Sequence, residues 1–354
     1  MKRHTFSRRD VLRGSAAIAA SGAFASVTAA APPASAVTPQ LIAAAKKEGR
    51  VVYYTSIDLP VAERIAKAFE AKYSGIDVRV ERSGAERVFQ RIGQEYASRI
   101  HSVDVVNSSD AAHFIVWKRE GILEPYLPED VAQYYPVEHK DPDGTFASFR
   151  AWVCIIGYNT NMVKAEEAPK SYADLLDPKW KGKMVKSHPG YSGTSLTGTF
   201  AVTKVLGWDY LAKLSKQGVL QQQSTTATPK SLASGERAVM VDGNEYNMFI
   251  EIDRKSPVKI IYPTEGTPFV NSPSAILAGA PHPNAARVFE NFIFTPAAQQ
   301  LLVNEGGLRS VVAGVTEPAN RTPLKDIKLL PDDPEAMLPQ VAEIKKKYTA
   351  LFGS

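Results

Sequence analysis

The feature that most constrains the fold is a repeated unit of a short strand-like segment, a loop of small residues and an amphipathic helix. Segments 51–54, 78–81 and 103–106 have the apolar or alternating pattern of strands. Apolar residues at helical spacing, such as Val61 and Ile65, follow the first loop, and the other loops continue in the same way. Strands that alternate with helices predict a parallel sheet covered by helices, so the predicted fold class is α/β.

Small and hydroxyl-bearing residues stand at the end of each of these three strands. An open α/β sheet binds its ligand outside the carboxyl ends of its strands, so these loops are expected to share one cleft. The candidate binding residues on them are Ser56, Ser83, Gly84, Ala85, Ser108 and Ser109.

A fourth loop of this kind, at 188–195, precedes a predicted helix at 196–206. Its glycines allow a close approach to the backbone, and the free N–H groups of a first helical turn favour an anion. An ordinary helix cap is the alternative interpretation. The candidate residues here are His188, Tyr191, Ser192, Gly193 and Thr194.

A fifth loop, after the predicted strand at 238–241, contains acids and a tyrosine. Asp242, Glu245 and Tyr246 are candidates for holding hydroxyl or amino groups of a ligand. A simple Asp-Gly turn explains the loop equally well. Tyr53, Tyr54 and Trp152 are expected in the core rather than stacked on a ligand.

The N-terminus has the pattern of an export signal. Arg8 and Arg9 form a twin-arginine pair in a basic region, an alanine-rich apolar run follows, and 34–36 reads Ala-Ser-Ala, a cleavage pattern. A disordered basic tail is the alternative. Residues 1–36 are therefore predicted to be a twin-arginine signal peptide, cleaved near Ala36, and the remaining length of the 354-residue chain suggests two domains.

The positive charge of the chain belongs mostly to this signal. Five of the 42 basic residues and one of the 37 acidic residues lie in 1–36, so the predicted mature chain is almost neutral. Nothing then favours nucleic acid or an anionic membrane as a partner. Cys154 is the single cysteine, which excludes an internal disulfide in an exported protein.

Several segments resemble a known family. The segments 51–56, 104–106, 157–160, 177–183 and 281–286, with the helices after the last, occur in the family's order. On these residues the chain resembles an extracellular solute-binding protein of an ABC importer, in the group with ferric-iron binders and binders of phosphorylated compounds. The resemblance implies a two-lobed type II periplasmic-binding-protein fold, each lobe a mixed, mainly parallel sheet flanked by helices, joined by two hinge strands.

The resemblance also implies where the lobes lie and what the protein meets. Residues 37–152 and 270–354 are expected to form the first lobe and residues 153–269 the second. A ligand clamped between the lobes shifts the hinge equilibrium toward the closed form. The implied partners are a small-molecule ligand, an ABC permease in the inner membrane and, during export, the twin-arginine translocase. A periplasmic monomer without a cofactor is expected.

Two ligand classes remain open. Iron-binding members use two adjacent tyrosines, but the matching loop here has only Tyr246, which Glu245 and His188 would have to supplement. The loops of small hydroxyl residues favour an organic anion, such as a phosphorylated, phosphonate or carboxylate compound, with Arg82 or Arg87 adding a bidentate contact. An enzyme using Cys154 as nucleophile is a third possibility, but this cysteine lies in an apolar strand without a nearby base.

Overall fold

The computed structural model describes residues 31–353. Residues 1–30, which contain the predicted twin-arginine motif, lie outside the described part. The predicted cleavage triplet lies inside it, and Ser35 pairs with a surface loop. Its N–H donates to the Leu127 carbonyl at 2.8 Å, and its carbonyl accepts from the N–H of Glu129 at 3.2 Å. Cleavage after Ala36 stays a prediction.

Helices begin and end where the sequence places caps and glycines. Thr38 caps the first helix through its side chain, and Gly49 ends it in the left-handed conformation with φ 74°. Within residues 31–353 the α-helices are α1 (Pro39–Glu48), α2 (Leu59–Lys72), α3 (Ala85–Ala97), α4 (Ala111–Arg119), α5 (Glu129–Tyr134), α6 (Gly193–Ser215), α7 (Thr228–Ala233), α8 (Glu245–Asp253), α9 (Pro283–Phe294), α10 (Pro296–Gly306), α11 (Pro334–Met337) and α12 (Val341–Phe352).

The strands form one path through the described part of the chain. They are β1 (Arg50–Thr55), β2 (Asp77–Arg82), β3 (Val105–Asn107), β4 (Ala147–Asn159), β5 (Met184–Ser187), β6 (Leu220–Gln222), β7 (Val239–Asn244), β8 (Val258–Ile261), β9 (Thr267–Ile276) and β10 (Leu329–Leu330). Their order is β2-β1-β3-β9-β4-β7-β5-β6, with β10 beside β9 and β8 beside β4. β1 pairs in parallel with both β2 and β3, as the strand and helix alternation predicts.

β4 joins the two halves of the sheet. From Ala147 to Val153 it pairs antiparallel with β9, and from Cys154 to Tyr158 it pairs with β7. We call the half around β1 to β3 the first lobe and the half around β5 to β7 the second lobe. The predicted bounds of the lobes stay a prediction. The C-terminal α12 packs against α6, and Tyr348 of α12 is buried in the core of the second lobe.

Both lobes have apolar layers on the two faces of the sheet. Tyr53 and Tyr54, expected in the core, are buried on opposite faces of the first lobe, because neighbouring strand residues point in opposite directions. In the second lobe α6 and α12 cover one face, while α7 and α8 cover the other. Among residues 31–353, no helix is both long and apolar enough to cross a bilayer.

Candidate ligand-binding site

A narrow cavity lies where the strand ends of the first lobe face the beginning of α6. Its interior has about 20 Å³ of free space, room for about one water molecule, so a larger solute requires the lobes to move apart. It is lined by residues from both lobes: Ser56, Arg82, Gly84, Ala85, Ser109, Arg150, Trp152, Tyr191, Ser192, Thr194, Gln223, Ser224, Thr225, Thr226, Asn244 and Tyr246.

The structure brings eight of the fourteen sequence-predicted binding residues to this cavity. They come from loops that are far apart in the chain, and they are Ser56, Gly84, Ala85, Ser109, Tyr191, Ser192, Thr194 and Tyr246. The other six do not line it. They are Ser83, Ser108, His188, Gly193, Asp242 and Glu245.

The two acidic candidates are engaged in buried ion pairs instead. Glu245 accepts from Arg309 at 2.7 and 2.8 Å and from the hydroxyl of Tyr262 at 2.5 Å. Asp242 accepts from the ammonium of Lys186 at 2.5 Å. Both carboxylates therefore bind protein cations.

Three of the remaining candidates are engaged elsewhere. Ser83 lines a separate recess on the first lobe. Ser108 is buried, and its carbonyl accepts from the hydroxyl of Ser272 at 2.8 Å. His188 Nε2 lies 3.1 Å from the carbonyl of Gly353, and burial lowers the pKa of this histidine. Each of these positions is set by contacts outside the cavity.

Gly193 makes the close approach of the two lobes possible. A Cβ at this position would come within 2.8 Å of the Ser109 carbonyl oxygen, which is closer than real Cβ contacts. A larger residue would hold the start of α6 away from the loop after β3. Gly193 thus shapes the cavity without lining it.

Three helices begin at the cavity. α3 begins at Ala85 after Gly84, α4 begins just after Ser109, and α6 begins at Gly193 after its N-cap Ser192. The first N–H groups of a helix have no acceptor within the helix, and the helix dipole makes this end positive. Helix starts from both lobes therefore give the cavity a positive potential.

Arg150 is a cavity residue that the sequence analysis missed. It lies on β4, is only 2% exposed, and its Nε donates to Asn107 Oδ1 at 3.0 Å. Its guanidinium stacks over the Trp152 ring at 4.5 Å, and Nη2 lies 3.4 Å from Ser56 Oγ. Burial, with a smaller effect of Arg82, lowers the pKa of Arg150 to about 10. The signal in the sequence was a single charge inside an apolar strand.

Arg82, considered from the sequence as a possible ligand contact, also lines the cavity. Its Nε donates to the carbonyl of Ile57 at 3.2 Å. Among the described residues, neither Arg82 nor Arg150 forms an ion pair with an acid, and no acid lines the cavity. Two guanidinium groups therefore face the same space without a protein anion.

A polar loop of the second lobe, at 223–226, completes the wall and was also missed. The sequence analysis named no residue of this loop. Ser192 Oγ and Thr225 Oγ1 are 3.2 Å apart, which ties this loop to the start of α6. Asn244 Oδ1 is buried without a hydrogen-bond partner in the described chain and offers an acceptor to a ligand.

The residues named for iron do not meet at the cavity. Of Tyr246, Glu245 and His188, only Tyr246 lines it, and burial raises the pKa of this tyrosine to about 12. Within residues 31–353, no cluster of three or more His, Cys, Asp or Glu side chains could hold a metal ion. Burial also raises the pKa of the Cys154 thiol well above its usual value, which opposes formation of a nucleophilic thiolate.

The sequence pattern of a family described as bacterial extracellular solute-binding protein matches residues 102–329. The chain belongs to this family. The solute-binding protein is 27% identical to iron uptake protein A1 of Synechocystis sp. over 267 residues. The aligned region covers 70% of this chain and 72% of that protein. It is 24% identical over 233 residues to an ABC transporter periplasmic-binding protein of Sinorhizobium fredii, 63% of each chain.

A solved structure shows the same fold. The periplasmic binding protein AfuA from Actinobacillus pleuropneumoniae, with fructose-6-phosphate bound, superposes with a TM-score of 0.78 over 86% of this chain and 98% of that chain, at 23% identity. These findings confirm the resemblance seen in the sequence and the two-lobed type II fold. The solute-binding protein is the periplasmic binding component of an ABC importer. The proteins that it resembles are binding proteins of transport systems.

Proposed function

We propose that this solute-binding protein captures a small organic anion with at least two negative charges and delivers it to the permease. Phosphorylated, phosphonate and carboxylate compounds belong to this class. The observation that carries the proposal is the pair of guanidinium groups, Arg82 and Arg150, that line the cavity without an acidic partner.

A buried arginine without a counter-ion is costly, because its charge leaves water and an arginine stays protonated in a protein. The partly exposed Arg82 adds repulsion, which is a smaller part of why the pKa of Arg150 is lowered. An anionic group bound between them would relieve both costs and accept paired hydrogen bonds from each guanidinium. The helix starts that line the cavity support the same ligand charge.

The rest of the cavity offers neutral polar groups. Ser109, Thr225 and Asn244 can exchange hydrogen bonds with hydroxyl or amino groups of the same ligand. The proposed binding residues are the eight predicted residues at the cavity together with Arg82, Arg150, Asn244 and the loop 223–226. Since the wall comes from both lobes, the full set of contacts exists only when the lobes are closed.

Ferric iron is the second candidate, because several similar proteins are named for iron uptake or ferric-iron binding. A trivalent cation prefers anionic oxygen ligands, whereas this cavity presents two cationic side chains and one tyrosine of raised pKa. The charge of the cavity favours an anion.

The remaining parts of the proposal concern export and assembly. The protein is exported by the twin-arginine translocase, cleaved near Ala36 and active as a monomer without catalytic turnover. The proposed first lobe comprises residues 37–152 and 270–340, and the second comprises residues 153–269 with α12, because Tyr348 of α12 is buried in the core of the second lobe. The Cys154 thiol is buried, and within residues 31–353 its one side-chain hydrogen bond is to the Thr194 carbonyl at 3.8 Å.

A thermal-shift and calorimetric screen tests the ligand class. The purified protein is titrated with fructose 6-phosphate, 2-aminoethylphosphonate, citrate, ferric chloride and uncharged fructose. Binding to the folded state alone at a hundred times Kd stabilises it by about 2.7 kcal/mol, so an organic anion should raise the Tm while fructose does not. A rise with ferric chloride alone, together with a visible tyrosinate band, would show that the ligand is iron.

A further inference from the structure

A buried ion pair lies beneath the start of α6 and does not line the cavity. Lys186 on β5 and Asp242 on β7 approach to 2.5 Å, with side chains 2% and 4% exposed. Removing two charges from water is expensive, and well-packed apolar residues usually stabilise a core equally well. The pair therefore calls for an explanation beyond core stability.

The ammonium of Lys186 also holds the first turns of α6. It donates to Ser195 Oγ at 3.2 Å and to Thr199 Oγ1 at 3.4 Å. Ser195 Oγ in turn donates to the carbonyl of Ser187 at 2.6 Å. One buried cation thus connects β5, β7 and the beginning of α6.

The contacts continue from Ser195 to the cavity wall. The N–H of Ser195 donates to the hydroxyl of the N-cap Ser192 at 3.3 Å, and Ser192 Oγ lies 3.2 Å from Thr225 Oγ1. Ser192 and Thr225 both line the cavity. Lys186 is therefore two hydrogen-bonded residues away from the surface that the ligand touches.

We propose that Lys186 is a positioning residue for ligand binding, which fixes the first turn of α6 so that its free N–H groups face the bound anion. Asp242 holds Lys186 in place and acts through it, instead of contacting the ligand. This inference rests on the proposed function, because it assumes that the start of α6 receives an anion. A role in core stability alone is the competing explanation.

A double replacement separates the two explanations. Lys186→Met combined with Asp242→Leu removes both charges together and leaves an apolar pair, so the Tm should stay within a few degrees of the original. The Kd for fructose 6-phosphate should rise roughly tenfold, because the turn that carries the N–H groups loses its anchor. An unchanged Kd in this stable variant would overturn the inference.

Ser195→Ala tests the route through Ser195. By itself it should weaken binding of fructose 6-phosphate by roughly fivefold, and added to the double variant it should have no further effect, because the two act through the same contact. Thr203→Val is the matched control, since the hydroxyl of Thr203 on the same helix bonds only to the Phe200 carbonyl. Additive effects of Ser195→Ala and the double variant would contradict the proposed route.

Hydrogen exchange of the ligand-free protein gives a second readout. The amides of residues 193–197 should exchange roughly tenfold faster in the double variant, while the later amides of α6 keep their rates. Should the unaltered protein bind none of the organic anions, the proposed function fails, and the exchange rates still decide whether Lys186 orders this turn. Unchanged exchange would refute the positioning role whatever the ligand is.

Discussion

Two buried arginines of this protein have opposite surroundings. Arg309, near the hinge strands, is 1% exposed and is held by Glu245, Glu317 and the carbonyl of Thr322. Burial by itself would lower its pKa, but the hydrogen bonds and charge of Glu245 outweigh burial and raise it. Arg150, at the cavity, is 2% exposed and has Asn107, Ser56 and the Trp152 ring as neighbours, without an acid.

The difference separates a charge used for structure from a charge kept for a ligand. At Arg309 the protein supplies the counter-ions, so the group is complete without a solute. At Arg150 the protein supplies neutral acceptors that orient the guanidinium, while its charge stays uncompensated. An arginine cannot escape this cost by losing its proton, so the uncompensated charge of Arg150 at the cavity supports the proposed anion site.

The largest expected effect is on stability, at Arg309. Arg309→Met leaves Glu245 buried without its cation, so the free energy of unfolding should fall by about 3–5 kcal/mol in urea denaturation. The same substitution at Arg150 removes an uncompensated charge and should change the stability of the ligand-free protein by less than about 1 kcal/mol. Equal losses from both substitutions would remove the distinction between the two arginines.

For ligand affinity, we expect the larger effect from the substitution at Arg150. Arg150→Met should weaken binding of fructose 6-phosphate by roughly a hundredfold, since a buried charge-assisted contact is lost. Arg79→Met is the matched control, because Arg79 is exposed and pairs only with Glu81 on the surface. Calorimetric titration of both variants measures the effect, and a similar Kd for the Arg150 variant and the unaltered protein would contradict it.

Glu290 is a buried acid that, unlike an arginine, can lose its charge by binding a proton. It is buried in the first lobe with Ser274 as its hydrogen-bond donor, and burial raises its pKa to about 8. The folded state prefers the neutral carboxyl. The contribution of Glu290 to the free energy of unfolding is therefore fully present below about pH 4.5 and is lost as the pH rises through 8.

Glu290→Gln should therefore flatten the decline in stability between pH 5 and pH 8 by about 3–4 kcal/mol. Denaturation curves at pH 5, 6.5 and 8 compare the variant with the unaltered protein, in which Asp332 adds a decline of the same sign. A decline of equal slope in both proteins would show that Glu290 ionises freely despite its burial.

The smallest effect is expected where an ion pair between helices is partly exposed. Lys345 on α12 approaches Glu86 on α3 to 2.6 Å, with side chains 25% and 20% exposed. Lys345→Ala should change the Kd for fructose 6-phosphate only two- to threefold, because water screens such pairs. Lys347→Ala is the control, since Lys347 pairs with Glu343 on the same helix. A tenfold effect would mean that pairs outside the cavity also control closure.

The sequence predicted the elements better than the contacts of individual side chains. The parallel strands β1 to β3 and the helices after them follow from apolar spacing that lies within about ten residues, which local patterns record faithfully. The helix that begins at Gly193 was also predicted, from its serine cap and glycines, and its break at Gly207, with φ 71°, falls where the predicted segment 196–206 ends. The family resemblance supplied the two lobes.

The site was predicted only in part. Loops with small hydroxyl residues do reach the cavity, because the ends of parallel strands meet at one edge of a sheet. Asp242 and Glu245 do not line it, since their partners Lys186 and Arg309 lie 56 and 64 residues away and local spacing gives no sign of them. Arg150 stands out in the sequence as a single charge in an apolar strand, but the strand pattern does not show which groups face it.

The sequence by itself determined the order of strands and helices, the loops of small residues and the family, because each depends on neighbours along the chain. Only the tertiary structure decided which charged side chains form ion pairs and which have no oppositely charged partner. Whether Arg150 or Arg309 meets an acid depends on distances through space between segments that folding brings together. Of these two arginines, the one without an acid lines the cavity.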